Sequence, residues 1–350
     1  MLITRAKNLV FRAGESAGLF QVARRKTARG LRILCYHGVS LNDESGFRPK
    51  LFMDPGMFRS RLEFLAENQF PVLSIEQGLN LLEKGSLPPC ATVITIDDGF
   101  YSVYRIAFPL LRKFRFPATL YVTSYYSLKQ NPVFRLVVQY MFWKTTRSEL
   151  DLRGMNIAIP EKIHLSDAST ERGMWRLIEY GENNCDETER CDLCCILGDR
   201  LGVDYEVIVK RRGLSLVNAS ELREMSAAGL DIQLHTHRHR FPEAELLAVK
   251  ELKDNKHYLN QIVDRPLRHF CCPSGTSTRA HWDWLRAEGI CSAVTCAPGF
   301  AYQHTSPMGL PRFLDGSHVS DAEFKAEMFG YTELLRRVRS RLGWARLTLF

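Results

Sequence analysis

Two adjacent aspartates, Asp97 and Asp98, lie in the string TIDDGF, directly after an apolar run. Their mutual repulsion raises the pKa of one carboxyl group unless a cation neutralises the pair. Taken alone, an acidic helix cap in a tight turn explains most strings of this kind. If the apolar run is instead a strand of an α/β fold, both carboxylates lie at the edge where such folds bind ligands.

A second group of polar residues is the cluster HTHRH at 235–239, which follows the strand-like run LDIQL. Neutral imidazoles are common ligands of zinc and similar metals. His235 and His239 reach a single ion if the chain turns helically after His235. Solvated histidines in a basic loop explain the cluster equally well when it is taken alone, and His237 competes with its neighbours as a ligand.

The two groups together predict a metal site with an open position. One carboxylate and two imidazoles make three protein ligands, which is typical of catalytic rather than structural zinc. The second carboxylate is then free to take a proton from water as a general base. This division of roles explains why adjacent aspartates are tolerated, because the cation neutralises one of them.

Strand and helix patterns alternate along most of the chain, which predicts a parallel sheet or barrel with helices outside it. The alternation stops from about 125 to 213, where we predict a mostly helical insertion. Residues 1–30 are predicted to form one basic amphipathic helical stretch, and residues 331–350 a second basic amphipathic helix. The strand patterns are LRILCYHGV (31–39), PVLSI (71–75), ATVITIDD (91–98), PATLYVTS (117–124), LDIQLH (230–235), RHFCCPSG (268–275) and CSAVT (291–295).

The composition is that of a soluble globular protein, with 45% hydrophobic and 25% charged residues. The net charge of +8 favours acidic partners only weakly, because we expect it to be spread widely along the chain. The basic terminal segments are as well explained by packing on the barrel as by an anionic membrane surface. We find no pattern of basic and aromatic residues that indicates nucleic-acid binding.

The ten cysteines have irregular spacings, and no secretory signal or membrane-spanning run is recognised. We therefore expect reduced thiols and a cytoplasmic location, with the inner membrane surface as a further possibility if the basic termini bind lipid. A CxxC string occurs at 191–194, but no second pair follows at a regular distance. Thiols in a helix are preferred there over a structural zinc.

These motifs, in their order along the chain, resemble those of the polysaccharide deacetylases, which are chitin-deacetylase-like carbohydrate esterases. TIDDG (95–99) resembles the family string T-[FI]-D-D-G, HTHRH resembles H-[ST]-x-x-H, and FCCPSG (270–275) resembles a strand that ends in P-x-G. YHGV (36–39) and the late LPRF (310–313) resemble the beginning and the end of the same domain. The resemblance covers about 31–330 without the insertion and implies a distorted (β/α) barrel.

The resemblance also implies a role for each matching residue. Asp98, His235 and His239 would hold a divalent metal, for which the two histidines favour zinc. Asp97 would be the general base, and the backbone N–H of Ser274 would stabilise the developing oxyanion. The implied reaction is hydrolysis of an N-acetyl group on a sugar, with release of acetate.

Departures from the family pattern leave two roles open. Cys271 stands where many members carry an arginine that orients the base, and Arg312 is our candidate to supply this guanidinium from another loop. Ser274 replaces a common aromatic residue. The family's L-x-H element, which often provides the general acid, has no clear match. His37 is our candidate for the acid, although a hydrogen-bonded core histidine explains it nearly as well.

The expected substrate is an N-acetylated sugar or glycan precursor. Because of the basic termini, we also consider a lipid-linked form of this substrate. Three other functions stay compatible with the sequence. The first is hydrolysis of a non-sugar amide, such as a cyclic imide, by the same fold. The second is glycan binding by an inactive relative of the family. The third is a role as a membrane-associated assembly protein with a structural metal.

Overall fold

A computed structural model of the chain describes residues 2–155, 162–165, 168–275 and 277–341. Its strands, in chain order, are β1 (Arg32–Tyr36), β2 (Gly38–Val39), β3 (Phe52–Met53), β4 (Val72–Leu73), β5 (Thr92–Ile96), β6 (Thr119–Val122), β7 (Glu149–Asp151), β8 (Lys162–His164), β9 (Asp231–Leu234), β10 (His269–Cys271), β11 (Ser292–Val294) and β12 (Phe313–Leu314).

The α-helices of the described residues surround these strands. In chain order they are α1 (Leu2–Ser16), α2 (Leu19–Lys26), α3 (Glu44–Phe47), α4 (Pro55–Glu67), α5 (Ile75–Glu83), α6 (Phe108–Phe114), α7 (Ser124–Lys129), α8 (Phe134–Lys144), α9 (Ala168–Asn184), α10 (Glu187–Leu201), α11 (Tyr205–Arg211), α12 (Ala219–Ala227), α13 (Glu245–Asn260), α14 (Arg279–Ala287), α15 (Asp321–Met328) and α16 (Tyr331–Arg341). A π-helical turn precedes α6, and a 3-10 turn follows β10.

The main sheet is parallel throughout and is closed into a distorted barrel. Its strand order is β11-β10-β9-β6-β5-β1-β12, and β4 pairs with the beginning of β5. The two edges meet where Leu310 forms a parallel bridge with Val294 of β11, shortly before the chain enters β12 beside β1. The predicted (β/α) barrel is thus confirmed.

The barrel interior is filled by inward-facing residues of several strands of the sheet. Ile33 of β1, Val93 of β5, Tyr121 of β6 and Cys271 of β10 belong to one buried apolar cluster. Because side chains alternate along a strand, the interior positions of β1 and β5 continue through every second residue. This alternation carries Asp97, four residues after Val93, to the interior at the carboxyl end of the barrel.

The predicted strand 31–39 is divided in two by His37. β1 ends at Tyr36, and β2 leaves the barrel to form a separate parallel pair with β3. His37 therefore lies at the carboxyl end of β1. The apolar pattern alone did not reveal the break, because both pieces are buried.

The region predicted as a helical insertion contains α8 to α11 and most of α7, and it also contains an antiparallel hairpin of β7 and β8. The hairpin was not predicted, since strands of three residues are too short to show a reliable alternation. Cys191 and Cys194 lie one turn apart in α10. Neither belongs to any group of described residues that could hold a metal ion.

The basic segment 1–30 forms two helices rather than one, with Gly18 between them in a left-handed conformation (φ 72°). Phe11 of α1 and Phe20 of α2 both contact the ring of Tyr331 at the start of α16. Of the predicted C-terminal helix 331–350, positions 342–350 lie outside the described residues. Within the described ranges, no helix combines the length and the apolar character needed to cross a bilayer.

Candidate metal centre and catalytic site

The two adjacent aspartates make contacts with different groups because the chain turns between them. Asp97 continues the inward alternation of β5, and its side chain is only 3% exposed. Asp98 has a left-handed backbone (φ 69°), and Gly99 follows with φ 89°. Such conformations cost energy for residues other than glycine and are concentrated at functional sites. The turn gives the two carboxylates different partners. The repulsion expected between adjacent aspartates is therefore offset separately at each of them.

Asp97 forms a two-pronged ion pair with Arg312 in the barrel interior. Arg312 Nη1 donates to Asp97 Oδ1 and Nη2 donates to Oδ2, both at 2.8 Å. Arg312 is fully buried, and it also donates to the hydroxyl of Thr95 and the carbonyl of Thr295. Burial by itself would raise the pKa of Asp97, but the Arg312 guanidinium outweighs this effect and holds the pKa well below its usual range.

Arg312 reaches Asp97 because of the way in which the barrel closes. It lies between Leu310, which pairs with β11, and Phe313, the first residue of β12. The segment that joins the two sheet edges therefore projects its guanidinium inwards. The structure thus brings together Arg312 and Asp97, as expected from the missing arginine at position 271.

Two thiols lie on the same carboxylate as Arg312. Cys271 Sγ is 3.2 Å and Cys35 Sγ is 3.4 Å from Asp97 Oδ2. Burial raises the pKa of both thiols well above the usual range, so both are neutral hydrogen-bond donors. Cys35 was not identified as a candidate from the sequence. Its position two residues before His37 in a predicted strand indicates that both side chains point to the same face of the strand.

Asp98, His235 and His239 form a second group, in which the possible ligand atoms all lie within 4.8 Å of one another. Asp98 Oδ1 is 3.2 Å from His235 Nε2 and 3.5 Å from His239 Nε2. Burial would raise the pKa of Asp98, whereas the hydrogen bond from His235 and the nearby His239 lower it to about 2. Asp98 is therefore ionised at neutral pH and suited to binding a cation.

The ring of His235 is oriented by the backbone of β10. Its Nδ1 lies 2.8 Å from the carbonyl oxygen of Cys271, a contact in which Nδ1 must carry the hydrogen. This leaves Nε2, the nitrogen next to Asp98, available for a metal. A ligand histidine that is fixed through its other nitrogen is common in metal sites.

The histidine loop is held by one face of α13. The backbone N–H of His235 donates to Asn255 Oδ1, and the backbone N–H of Arg238 donates to Glu251 Oε2, one helical turn away on α13. The loop does not turn helically, as the spacing of the histidines had suggested. Thr236 and His239 instead adopt left-handed conformations, and this irregular turn brings His239 back to His235.

Of the other candidate residues, His37 lies near Asp97, whereas His237 has a different partner. His37 Nε2 is 3.9 Å from Asp97 Oδ2, and within the described part of the chain its buried Nδ1 has no hydrogen-bond partner. Ser274 lies in the exposed turn after Pro273 with φ 56°. His237 points elsewhere, since its Nδ1 contacts the hydroxyl of Ser124 at 2.9 Å.

Of the possible metal-binding groups, the one built on Asp98 fits a dication best. Among the residues that the structure describes, the other two groups are Cys35–His37–Asp97 and Asp97–His235–Cys271. Both depend on Asp97, whose two oxygens already accept from Arg312, and both require a thiol with a raised pKa. A dication there would repel the guanidinium, whereas the Asp98 group has the carboxylate and imidazole donors that zinc binds.

This arrangement offers three possible protein ligands, one fewer than a four-coordinate ion needs, and an ionised carboxylate beside them. It is typical of metal-dependent hydrolases that activate water. The comparisons with known proteins agree with this class. Residues 195–291 match the family model described as polysaccharide deacetylase, a range that contains the histidine loop and the turn after β10.

Solved structures share the fold of almost the whole chain. The Streptococcus pyogenes deacetylase PplD in complex with acetate has a TM-score of 0.56 at 17% identity, and the match covers 85% of this chain and 98% of that one. IcaB from Ammonifex degensii has a TM-score of 0.54 at 18% identity, with 86% and 96% covered. With the family match, this likeness confirms the predicted resemblance to polysaccharide deacetylases.

Curated relatives match over short stretches. The poly-beta-1,6-N-acetyl-D-glucosamine N-deacetylase of Escherichia coli K12 is 32% identical over 90 residues, which are 25% of this chain and 13% of that protein. The protein of the same name from Staphylococcus epidermidis is 32% identical over 62 residues, 18% of this chain and 22% of that protein. The chain thus spans less than a quarter of the length of these relatives.

The Arg312–Asp97 pair predicts a specific pattern of stability losses. Arg312→Met leaves Asp97 buried without its cation, so the free energy of unfolding should fall by about 3–5 kcal/mol at pH 7. Adding Asp97→Asn to Arg312→Met should recover part of this loss, because the uncompensated charge is then removed. Urea denaturation of the two single variants and the double variant measures the coupling.

The matched control for this pair is Arg286→Met, which removes an exposed arginine from its ion pair with Asp283. It should cost less than about 1 kcal/mol. The depressed pKa of Asp97 also means that the stabilisation is present above the ordinary carboxyl pKa and is lost as the pH falls below it. Equal losses in Arg312→Met and Arg286→Met would contradict the account of the pair.

The Asp98 group predicts which substitutions abolish metal binding. Asp98→Ala and His235→Ala should weaken zinc binding by at least about a hundredfold, because each removes a direct ligand. His237→Ala should bind zinc like the wild type, since its ring contacts Ser124 instead. Zinc titration calorimetry, with cobalt(II) absorption as a second readout, checks this. Unchanged affinity in Asp98→Ala would exclude the site.

Proposed function

We propose that this chain is a metal-dependent hydrolase that removes the N-acetyl group from an amino sugar and releases acetate. The observation that carries the proposal is the separation of the two adjacent carboxylates. Arg312 holds Asp97 ionised inside the barrel, while Asp98 faces two imidazoles at its mouth. One aspartate is thereby available as a base and the other as a metal ligand.

Asp98, His235 and His239 would hold the metal, and we propose zinc because two imidazoles and a carboxylate suit it. When bound, the metal supplies a Lewis acid and lowers the pKa of water at the open position. Asp97 accepts the proton of the attacking water. Arg312 fixes the orientation of this carboxylate and keeps it unprotonated, which is the form that a base must have.

His37 is our candidate for the acid that protonates the leaving amine. Its Nε2 lies 3.9 Å from Asp97 Oδ2, so base and acid lie on the same side of the site. The buried Nδ1 has no partner among the described residues, which does not favour a hydrogen-bonded core histidine. A proton accepted at Asp97 is therefore close to the group that donates one to the nitrogen.

The turn after β10 is our candidate to supply a backbone donor to the oxyanion. Ser274 and Gly275 both have left-handed conformations, with φ of 56° and 69°. A Cβ atom at Gly275 would lie 2.4 Å from the Cβ of Cys296, so the close packing requires glycine there. The backbone N–H of Ser274 in this closely packed turn would stabilise the oxyanion.

The proposed substrate is an N-acetylglucosamine glycan or its precursor. The curated relatives are named for poly-beta-1,6-N-acetyl-D-glucosamine, and a structural neighbour contains acetate, the expected product. We further propose a cytoplasmic setting and a lipid-linked form of the glycan, on the grounds of ten unpaired thiols and the basic termini. A non-sugar amide such as a cyclic imide is the alternative substrate for the same site.

Acetate release tests the proposed activity. The zinc-loaded protein should release acetate from a defined β-1,6-linked N-acetylglucosamine oligomer, with lipid-linked and free forms compared. Asp97→Asn should lower kcat by at least about a hundredfold, because the base is lost. Its zinc affinity should stay close to that of the wild type, which shows that the site is still folded. Proton NMR of acetate provides the measurement.

The controls separate the competing functions. His237→Ala, whose ring lies outside the proposed ligand set, should keep wild-type activity. Hydrolysis of a cyclic imide without acetate release would replace the sugar substrate by a non-sugar amide. Oligomer binding with equal inactivity of wild type and Asp97→Asn would make the chain a glycan-binding protein.

The role of His37 predicts a dependence on the leaving group. His37→Ala should lower kcat on the amide substrate by at least about a hundredfold, because the departing amine needs a proton. An aryl acetate ester, whose leaving group needs no proton, should be affected far less. Equal losses on amide and ester at unchanged zinc content would mean that His37 is not the acid.

A further inference from the structure

The positive charge of the chain is concentrated in its two terminal segments. Residues 1–30 contain seven Lys or Arg residues and one Glu, and residues 331–350 contain five Arg residues and one Glu. Since the net charge of the whole chain is +8, the residues between these segments carry a net −2. The expectation that the charge is spread widely along the chain is therefore wrong.

The described parts of the two segments lie together on one side of the barrel. α1 packs along α15 and against α2, and α2 packs against α16. The ring of Tyr331 contacts Phe20 at 5.3 Å and Phe11 at 6.3 Å between centroids. The helices thus form one surface, which we call the terminal face and define as the exposed residues of α1, α2 and α16.

The terminal face carries large apolar side chains on its outer side. An amphipathic helix that packs on a barrel buries its apolar side and exposes polar residues. α1 and α2 do bury Phe11, Phe20 and Ala23 against the fold. Yet five further apolar side chains on these helices and α16 remain 42–70% exposed: Leu9, Val10, Leu19, Val22 and Val338. Isolated exposed aliphatic residues are ordinary, but a group on adjoining helices indicates a binding surface.

Exposed cations lie on or next to the same helices as this apolar group, and two acids of these helices are already paired. Arg12, Arg25, Lys26 and Arg29 are exposed on or directly after α1 and α2. Glu15 contacts Lys325, and the buried Glu333 contacts two arginines of its own helix, so neither acid cancels the outer cations. The terminal face therefore combines exposed aliphatic groups with an excess of positive charge.

This combination fits the surface of an anionic lipid bilayer better than other partners. Aliphatic side chains insert at the level of the acyl chains, while Lys and Arg contact the phosphate groups. A nucleic acid would match the cations but not the aliphatic side chains. A second copy of the chain, related by twofold symmetry, would bring two positive faces together, which repel each other.

We propose that the terminal face binds the chain peripherally to anionic membranes, with α1, α2 and α16 lying on the lipid headgroups. The binding is independent of the metal site and of the deacetylation proposed above. Failure of one leaves the other intact, because lipid binding is measured without any substrate.

Sedimentation with lipid vesicles tests the proposal on the full chain. The wild type should partition onto phosphatidylcholine vesicles that contain phosphatidylglycerol, weakly onto phosphatidylcholine alone, and less at high salt. Arg25→Gln with Lys26→Gln should reduce the partition coefficient by about thirtyfold, as two lost cations at such a surface imply. Leu19→Ser with Val22→Ser should reduce it by at least about tenfold, because apolar insertion is lost.

Matched controls carry the same changes on other helices. Arg112→Gln with Lys113→Gln alters two exposed cations of α6, and Ile196→Ser with Val207→Ser alters two exposed apolar residues of α10 and α11. Both should bind vesicles as the wild type does. Equal losses in the controls, or equal binding to both vesicle types, would overturn the proposal. A dimer that Leu19→Ser with Val22→Ser dissociates, with vesicle binding unchanged, would assign the face to self-association instead.

Discussion

The ion pair between Arg312 and Asp97 is the interaction on which the rest of the site depends. Two charges are removed from water inside the barrel, and removing either partner alone would leave a buried charge uncompensated. The pair is tolerated because each guanidinium nitrogen has an acceptor and both carboxylate oxygens accept from Arg312. Its position follows from barrel closure, since Arg312 lies on the segment that joins the two edges of the sheet.

The ion pair also limits which of the neighbouring groups can bind a metal. With both oxygens of Asp97 engaged, a metal is directed to Asp98, which the left-handed turn points towards the histidine loop. The loop is held by Asn255 and Glu251 of α13, and β10 orients His235 through a backbone carbonyl. The catalytic arrangement thus combines one strand end, one irregular loop and one closing segment, and none of them supplies the site alone.

Much of this arrangement could be predicted from the sequence, because it depends on local patterns. The β-branched run before Asp97 and the alternation of strands and helices indicate a parallel barrel, and the resemblance to the polysaccharide deacetylases implies Asp98, His235 and His239 as one ligand set. The contacts of Cys35 and Cys271 with Asp97 could not be foreseen, since they depend on how distant strands meet inside the barrel. The irregular turn at Thr236 was missed for a similar reason, because its shape is determined by α13 rather than by its own residues.

The division of roles between Asp97 and Asp98 is the central claim, and a crystal structure of the zinc-loaded wild type tests it most directly. Anomalous diffraction at the zinc edge locates the ion without reference to activity. The account predicts one zinc ion about 2.0–2.2 Å from Asp98 and from His235 and His239, with Asp97 still paired to Arg312. Zinc bound instead to Asp97 with Cys35 or Cys271, and a displaced Arg312, would contradict it.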